Sequence, residues 1–269
     1  MKDLQVNLER IIAKAGGKWG IVVEDLDTNK RLTINEKDQF AAQSIIKIPI
    51  MVALFAAQYE KKIDFSELIN LKREDIVQGA GNLQFLSPGI QLPIYDLITL
   101  MIIQSDNTAT NMLIDLLGLE EINRIMEHFG MEKSCLRKKL MIYPVTEHDC
   151  ENYITASDSS LLLNKMAKGK IISRYSSEQM IKILKQQQIR NGLPAYLPGN
   201  NNEIIGVLPK WELANKTGWG TEHQHDVGIL YINQRSVTIS ALSQDINSIR
   251  SLTALAEIGK AVYEYVQGQ

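Results

Sequence analysis

Hydrophobic residues recur at helical spacing at the start of the chain and through its middle. At the start, Leu4, Leu8, Ile11 and Ile12 predict a first helix. The run from Ser44 to Lys62 is long, apolar and rich in Ala, Leu, Ile and Met, which predicts a second. Three later segments follow the same pattern, the first with Gly118 and Gly130 as helix stops: 93–130, 156–168 and 176–188.

Runs typical of β-strands lie towards the two ends of the chain. The first two are Trp19–Val23 and Arg31–Ile34, with residues 27–30 as a hairpin turn. After the sequence Asn-Gly-Leu-Pro at 191–194 come three more, the last two joined by a tight turn at 233–235: Trp211–Asn215, Val227–Ile232 and Val237–Leu242. An amphipathic helix over about residues 247–266 closes the chain.

Strands at both ends with helices between them predict an α/β protein of the α+β type. We expect one five-stranded antiparallel sheet, built from the terminal strands and flanked by the N- and C-terminal helices. An all-helical domain would be inserted into it. The predicted division is 1–35 with 194–269 for the sheet domain and 36–193 for the helical domain, with a site in the cleft between them.

Composition, charge and cysteine spacing exclude several classes of protein. The 269 residues are 45% hydrophobic and 22% charged, which excludes general disorder. The formal net charge is −2, so the chain has no excess of positive charge for nucleic acid. Cys135 and Cys150 lack metal-ligand spacing and are expected to be free thiols of a reduced compartment.

The chain shows no apolar segment suited to a signal peptide or a membrane span. We therefore expect a cytoplasmic protein without membrane association. An exported protein whose signal had been trimmed would look the same.

Ser44 and Lys47 open the long central helix. Residues three apart share a helix face, so the lysine amine can reach the serine hydroxyl. Serine needs an adjacent base to act as a nucleophile, and a desolvated lysine can serve. On this motif alone, a capping serine followed by a surface lysine is the favoured interpretation, although the apolar neighbours Ile45, Ile46 and Ile48 favour burial.

Two further short motifs follow. Ser105-Asp106-Asn107 lies between two helical runs, where a hydroxyl and an amide could face the cleft while Asp106 binds backbone groups. A helix N-cap explains it as well. Lys216-Thr217-Gly218 ends a β-type run and offers a positive charge, a hydroxyl for a carboxylate, and room for close backbone approach to a ligand.

Together the three motifs resemble the set found in class A β-lactamases and penicillin-binding proteins. The similarity extends through other segments over nearly the whole chain: Phe85–Gly89, Asp96–Asn111, Asp226–Gly228 and Ala256–Gly259. The resemblance implies a β-lactamase/transpeptidase-like fold. It also implies a monomer that needs no cofactor or metal and acts on a small molecule, a β-lactam or a related amide or ester.

The resemblance also implies a role for each motif residue. Ser44 would be the acylated nucleophile and Lys47 its base. Ser105 would relay a proton to the leaving nitrogen, and Lys216 would support the local charge. The groups that would bind the substrate are Asn107 for the side-chain amide, Thr217 for the carboxylate, Gly218 for close approach, and the N–H groups of Ser44 and Trp219 for the oxyanion.

One departure from the family concerns deacylation. Class A enzymes carry a glutamate on an omega loop that activates the deacylating water. The corresponding stretch, Leu136–Met141, has no carboxylate, and the next acidic residues are Glu147, Asp149 and Glu151. We therefore expect acylation with slow turnover. A cytosolic esterase or amidase, or a penicillin-binding sensor that stays acylated, remains the alternative.

His223 and His225 are the remaining candidate ligands. Histidines two apart on a strand share a face, which would suit a metal. The spacing offers no third ligand, and residues 222–226 fit the loop between two strands, so we expect a structural role.

Overall fold

A computed structural model describes residues 1–141, 151–199 and 207–268. Its α-helices are α1 Lys2–Ala15, α2 Lys47–Tyr59, α3 Ile94–Ile103, α4 Asn107–Leu117, α5 Leu119–His128, α6 Ala156–Ala167, α7 Arg174–Lys185 and α8 Ser248–Gln267. Its strands are β1 Lys18–Asp25, β2 Arg31–Ile34, β3 Phe40–Ala41, β4 Leu68–Asn70, β5 Gln91–Pro93, β6 Tyr153–Ile154, β7 Trp211–Gly220, β8 His223–Ile232 and β9 Arg235–Gln244.

The predicted five-stranded antiparallel sheet is confirmed, with the strand order β2-β1-β9-β8-β7. Strand β1 lies next to β9 although more than two hundred residues separate them in the chain. The first and last parts of the chain therefore fold together, as their β-type patterns predict. The division into two domains stays a prediction.

Strands β7 and β8 are longer than predicted. Lys216, Thr217 and Gly218 do not follow β7 but lie within it, opposite Val227, Asp226 and His225 of β8. The expectation that residues 222–226 form a loop is therefore wrong for residues 223–226. Their polar side chains break the apolar pattern, but backbone hydrogen bonds to β7 and β9 continue past them.

The sheet separates two hydrophobic clusters, as the alternation of side chains along a strand requires. Ile21 and Val23 of β1 point to the side covered by α1 and α8, whereas Val22 points to the central helices. Two short strand pairs, β3 with β6 and β4 with β5, were not predicted because two or three residues carry no readable period. No helix in the described ranges is long and apolar enough to cross a membrane. The cytoplasmic location stays a prediction.

The second helix begins later than its apolar pattern suggests. Gln43–Ile46 form a 3₁₀ turn, and α2 begins at Lys47. Pro49 lies in the first turn of α2, where its missing N–H is not needed. Ser44 is thus on a tight turn directly before the helix, and Lys47 is the first helical residue.

Candidate active site

Ser44 lies at the wall of a cleft, on the 3₁₀ turn before α2. The residue before it, Gln43, has a φ of 44°, a left-handed conformation that only a well-supported turn maintains. Strand β7 passes directly beside this turn. A Cβ atom on Gly218 would stand 3.1 Å from the Ser44 nitrogen, so a glycine at this position keeps the strand close to the serine.

Lys47 is fully buried and donates three hydrogen bonds. Its Nζ lies 2.7 Å from the Ser105 carbonyl oxygen, 3.0 Å from Ser105 Oγ and 2.8 Å from Asn107 Oδ1. The lysine of the first motif is therefore joined to two residues of the second, 58 and 60 positions later. The alternative of a solvated surface lysine is wrong.

The surroundings of Lys47 lower the pKa of its amine. Burial is the main cause that holds the pKa of its amine well below the ordinary value of 10.5, and the positive charge of Lys216 acts in the same direction. Asp106 opposes both with a smaller effect. A lysine with a lowered pKa is more readily neutral, and a neutral amine can accept a proton from a serine hydroxyl.

The second motif joins the end of α3 to the start of α4. Ser105 has a φ of 58°, and this left-handed conformation turns the chain between the two helices. Asp106 caps α4 by accepting the Ala109 N–H at 2.9 Å, and its other oxygen accepts the Leu83 N–H at 2.8 Å. The cap interpretation of this motif is therefore confirmed for Asp106. Of its two neighbours, which both contact Lys47, Asn107 lines the cleft and Ser105 is fully buried.

Lys216 is fully buried in β7, where its Nζ donates to the Thr217 carbonyl oxygen at 2.8 Å. Burial lowers its pKa to about 7, while the nearby Asp226 raises it. Asp226 is itself fully buried and accepts from Asn215 Nδ2 and the Leu193 N–H, at 2.8 Å each. Burial raises the pKa of that carboxyl to about 7, so both groups titrate near neutrality.

Two adjoining cavities lie around these motifs. The larger, about 670 Å³, is the cleft lined by Ser44 and Asn107. The smaller, about 360 Å³, is lined by Thr217 and is called the side cavity below. Ala80 and Trp219 line both and mark the boundary between them. Trp219 is 40% exposed, so it forms a wall of the site.

The segment that resembles the omega loop forms another wall of the cleft. The backbone of Leu140 is held by the side chain of Asn111, which donates to the Leu140 carbonyl and accepts its N–H at 2.8 Å each. Leu140 thus lies at a fixed place among the cleft-lining residues. Glu151 lines the same cleft and pairs with Lys138 at 2.9 Å, while Glu147 and Asp149 lie outside the described residues.

The candidate metal ligand His225 of β8 is engaged within the fold. It is buried, with Nε2 at 2.8 Å from the Ala41 carbonyl oxygen and Nδ1 accepting the Ser243 N–H at 3.1 Å. Burial lowers its pKa to about 4. Both ring nitrogens are thus used within the fold. Across the three described ranges, no group of three or more His, Cys, Asp or Glu side chains is placed to hold a metal.

Several residues of the site escaped sequence analysis. Asn111, which holds Leu140, has a detectable signal, since an amide inside a buried helix needs a partner. Gln104 and Gln224 line the side cavity, but glutamines without a motif give no sequence signal. Asp226 was expected only to bind local backbone, whereas it accepts hydrogen bonds from Asn215 of β7 and from Leu193 in the loop before β7.

The arrangement holds a buried amine against a hydroxyl and an amide, next to the turn that carries Ser44 at the cleft wall. Lys47 directly contacts Ser105, and Ser44 lies on the turn that leads into the helix of Lys47. These groups are the components of covalent acyl transfer without a metal, in which a base takes the proton of the serine and a second hydroxyl passes a proton to the leaving group.

Comparison with known proteins indicates one enzyme family. The model of the beta-lactamase enzyme family (Beta-lactamase2) matches residues 3–266. A β-lactamase structure from Sphaerobacter thermophilus is 27% identical, with a TM-score of 0.90 over 100% of this chain and 98% of that one. PBP-A, solved as a leucine-to-glutamate mutant in an acyl-enzyme complex with penicillin G, is 26% identical with a TM-score of 0.87, over 100% and 98%.

Among curated proteins, β-lactamase VEB-1 from Pseudomonas aeruginosa is 21% identical over 281 residues, which cover 98% of this chain and 90% of that protein. The family match spans almost the full chain. The chain therefore belongs to the beta-lactamase enzyme family and is a serine hydrolase of the β-lactamase type.

Proposed function

We propose that Ser44 is acylated by β-lactams or by related amides and esters, and that the acyl-enzyme is then hydrolysed slowly. The observation that carries the proposal is the position of Lys47, buried, with its pKa well below 10.5, and bonded to Ser105 and Asn107. The acyl-enzyme of PBP-A with penicillin G, a relative 26% identical, supports β-lactams as one class of acyl donor.

In the proposed reaction, Ser44 Oγ attacks the carbonyl carbon and its proton passes to neutral Lys47. A carbon–oxygen bond forms to the serine, and the bond from the carbonyl carbon to the leaving nitrogen or oxygen breaks. Ser105 passes the proton from Lys47 to that leaving atom. Water then cleaves the serine ester, which returns the proton to Ser44 and releases a carboxylic acid.

The remaining residues would bind the substrate. Asn107 would meet the amide of the acyl group, since it lines the cleft while its Oδ1 stays bonded to Lys47. The N–H groups of Ser44 and Trp219 would hold the oxyanion, and Gly218 gives β7 the close approach this needs. Removal of one such donor costs about 3–4 kcal/mol of transition-state stabilisation. Lys216 would supply positive charge beside the reacting groups.

Slow hydrolysis follows from the loop beside the cleft. In the described part of that loop, Leu140 is held at the cleft wall and Glu151 is already paired with Lys138. Leu140 has no carboxylate, and the carboxylate of Glu151 is held by Lys138, so neither residue offers a free carboxylate to activate water. An acyl-enzyme that persists would make the protein a penicillin-binding sensor, and one that turns over would make it a β-lactamase.

Intact-protein mass spectrometry over time, after mixing with penicillin G, tests the proposal. We expect a mass increase equal to the whole penicillin, its absence in Ser44→Ala, and its decay over minutes to hours. Ser160→Ala, at a buried serine of α6 that lines neither cavity, is the matched control and should be labelled like the native protein. Full hydrolytic activity in Ser44→Ala would overturn every covalent form of the proposal.

A further inference from the structure

The amide nitrogen of Asn107 is the half of that side chain which a substrate can use. The other half, Oδ1, accepts a hydrogen bond from Lys47 Nζ at 2.8 Å. The nitrogen, Nδ2, donates to the Gln78 carbonyl oxygen at 3.4 Å, which is longer than an ordinary N–H···O hydrogen bond. Because an amide nitrogen carries two N–H groups, Nδ2 can also donate to the carbonyl oxygen of an acyl amide.

Two neighbours cover this nitrogen from the cleft side. Asn107 is only 6% exposed although it lines the cleft. A Cβ atom on Gly79 would stand 2.7 Å from Asn107 Nδ2, and 3.4 Å and 3.7 Å from Met141 Cε and Cγ. Gly79 and the Met141 side chain, which both line the cleft, therefore meet Asn107 at one place.

The backbone part of this cover is held in position. Gln84 Nε2 donates to the Gly79 carbonyl oxygen at 2.6 Å and to the Gly81 carbonyl oxygen at 2.8 Å. The backbone N–H of Asn107 donates to the Ala80 carbonyl oxygen at 3.0 Å. This segment therefore cannot move away from Nδ2 without the loss of these hydrogen bonds.

Met141, in contrast, covers the nitrogen with a side chain that can turn away. The residue is 38% exposed, and a methionine side chain is unbranched and adapts readily to its surroundings. Its backbone follows Leu140, which Asn111 holds through two hydrogen bonds of 2.8 Å. Opening at this place therefore requires a rotation of the Met141 side chain and no movement of the loop.

Such a cover distinguishes acyl donors by their chemistry. An acyl group that contains an amide must bring its carbonyl oxygen to Asn107 Nδ2, whereas a hydrocarbon acyl group has no use for that donor. When only a fraction of the molecules has the nitrogen uncovered, the apparent affinity for the first kind of donor is reduced by that fraction. The second kind of donor carries no such cost.

We propose that Met141 is a specificity-determining residue, because its side chain covers Asn107 Nδ2 and must turn away before an acyl amide binds there. This inference rests on the proposed function, which places the amide of the acyl group at Asn107. Met141 thus disfavours acyl groups that contain an amide, penicillins included, relative to plain carboxylic esters.

A matched pair of esters tests the inference. Both release meta-hydroxybenzoate, whose absorbance gives kcat/KM, and mass spectrometry follows the acylation of Ser44. The acyl group is phenylacetylglycyl in one ester and a phenylpentanoyl chain of the same length in the other, so methylene groups replace the amide. We expect Met141→Ala to raise kcat/KM for the amide ester by about fivefold, and to change the value for the other ester by less than about twofold.

Two further variants locate the effect. Met141→Leu keeps an apolar side chain of similar volume over Nδ2 and should leave the ratio of the two kcat/KM values near that of the native protein. Ile249→Ala removes an apolar side chain at a position of α8 that is 75% exposed and lines neither cavity, and should leave the ratio unchanged.

The outcomes separate the two proposals. If penicillin G labels Ser44 but Met141→Ala leaves the ratio unchanged or slows the amide ester, the inference is overturned and the proposed function stands. An equal rise for both esters would also overturn the inference, because Met141 would then narrow the cleft for every acyl group. If penicillin G and both esters fail to label Ser44 in the native protein, the proposed function fails and the inference falls with it.

Discussion

The position of Lys47 lowers the pKa of its amine, which is the change that a general base requires. Lys47 is fully buried, and Lys216 adds a second positive charge nearby. We expect Lys47→Met, which keeps the length of the side chain, to slow acylation by penicillin G by about a hundredfold to ten-thousandfold. Stopped-flow or quenched mass spectrometry measures this rate, and Lys210→Met at an exposed position is the control. Acylation at the native rate in Lys47→Met would exclude it as the base.

Leu140 occupies a place from which a carboxylate could reach the cleft. Asn111 fixes its backbone through two hydrogen bonds of 2.8 Å, so a substitution changes the side chain without releasing the loop. We expect Leu140→Glu to shorten the half-life of the penicillin adduct at least about tenfold, by supplying a base for water. Leu140→Gln is the matched uncharged control. If both variants keep the native half-life while Glu151→Gln lengthens it, water activation belongs to Glu151 instead.

At the level of single residues, sequence analysis identified the groups but not their partners. Short motifs indicated Ser44, Lys47 and Ser105, and the structure brings the last two within 3.0 Å. The roles proposed for them stay predictions. The unpaired oxygen of Gln104 could not be predicted, because being unpaired depends on every neighbour that the fold brings near.

Among the structural elements, α8 packs against the loop that contains Leu193, behind the side cavity. Gly259 of α8 faces Leu193, whose N–H binds Asp226 on β8. A Cβ on Gly259 would lie 2.0 Å from the Leu193 carbonyl oxygen, with helix backbone on one side and loop backbone on the other. We expect Gly259→Ala to lower the free energy of unfolding by about 1–3 kcal/mol, since overpacking forces one of these backbones to move.

Urea denaturation measures this change, and Gly268→Ala provides the control. Gly268 follows α8, and its added Cβ would meet only the Glu264 carbonyl oxygen at 3.5 Å, an ordinary contact. Equal denaturation midpoints for the two variants would contradict the packing argument.

The helices and strands were predicted where a single period continues for long enough. Arg31–Ile34 is a strand over the predicted residues, and the helices from α2 to α6 lie in the predicted segments, while α7 begins two residues before its predicted segment. Prediction failed where side-chain type changes without a change in backbone pairing, as at His223–Asp226 of β8. It also missed the 3₁₀ turn at Ser44, because the apolar run continues through it while Pro49 sets the start of α2.

For the whole molecule, two buried groups on β8 respond to acid in opposite directions. The pKa of His225 is lowered to about 4 from 6.5, so the folded state resists protonation of this ring. The free energy of unfolding therefore falls as the pH falls from about 6.5 to about 4. The pKa of Asp226 is raised to about 7 from 3.8. The folded state holds that proton while the unfolded chain releases it, so acidification between 7 and 3.8 adds stability.

The two effects offset each other in the native protein, and His225→Gln separates them. His225 joins β8 to Ala41 of β3 and to Ser243 of β9, and protonation of Nδ1 would break the second bond. The variant lacks the His225 effect and keeps the others, so on acidification from pH 7 to pH 4 its free energy of unfolding should rise relative to that of the native protein. The difference in that change should reach about 3 kcal/mol. Guanidinium denaturation at the two pH values measures it, with His128→Gln on the helical side as the control. Parallel pH curves for the native protein and His225→Gln would show that His225 titrates alike in the folded and unfolded states, contrary to its burial.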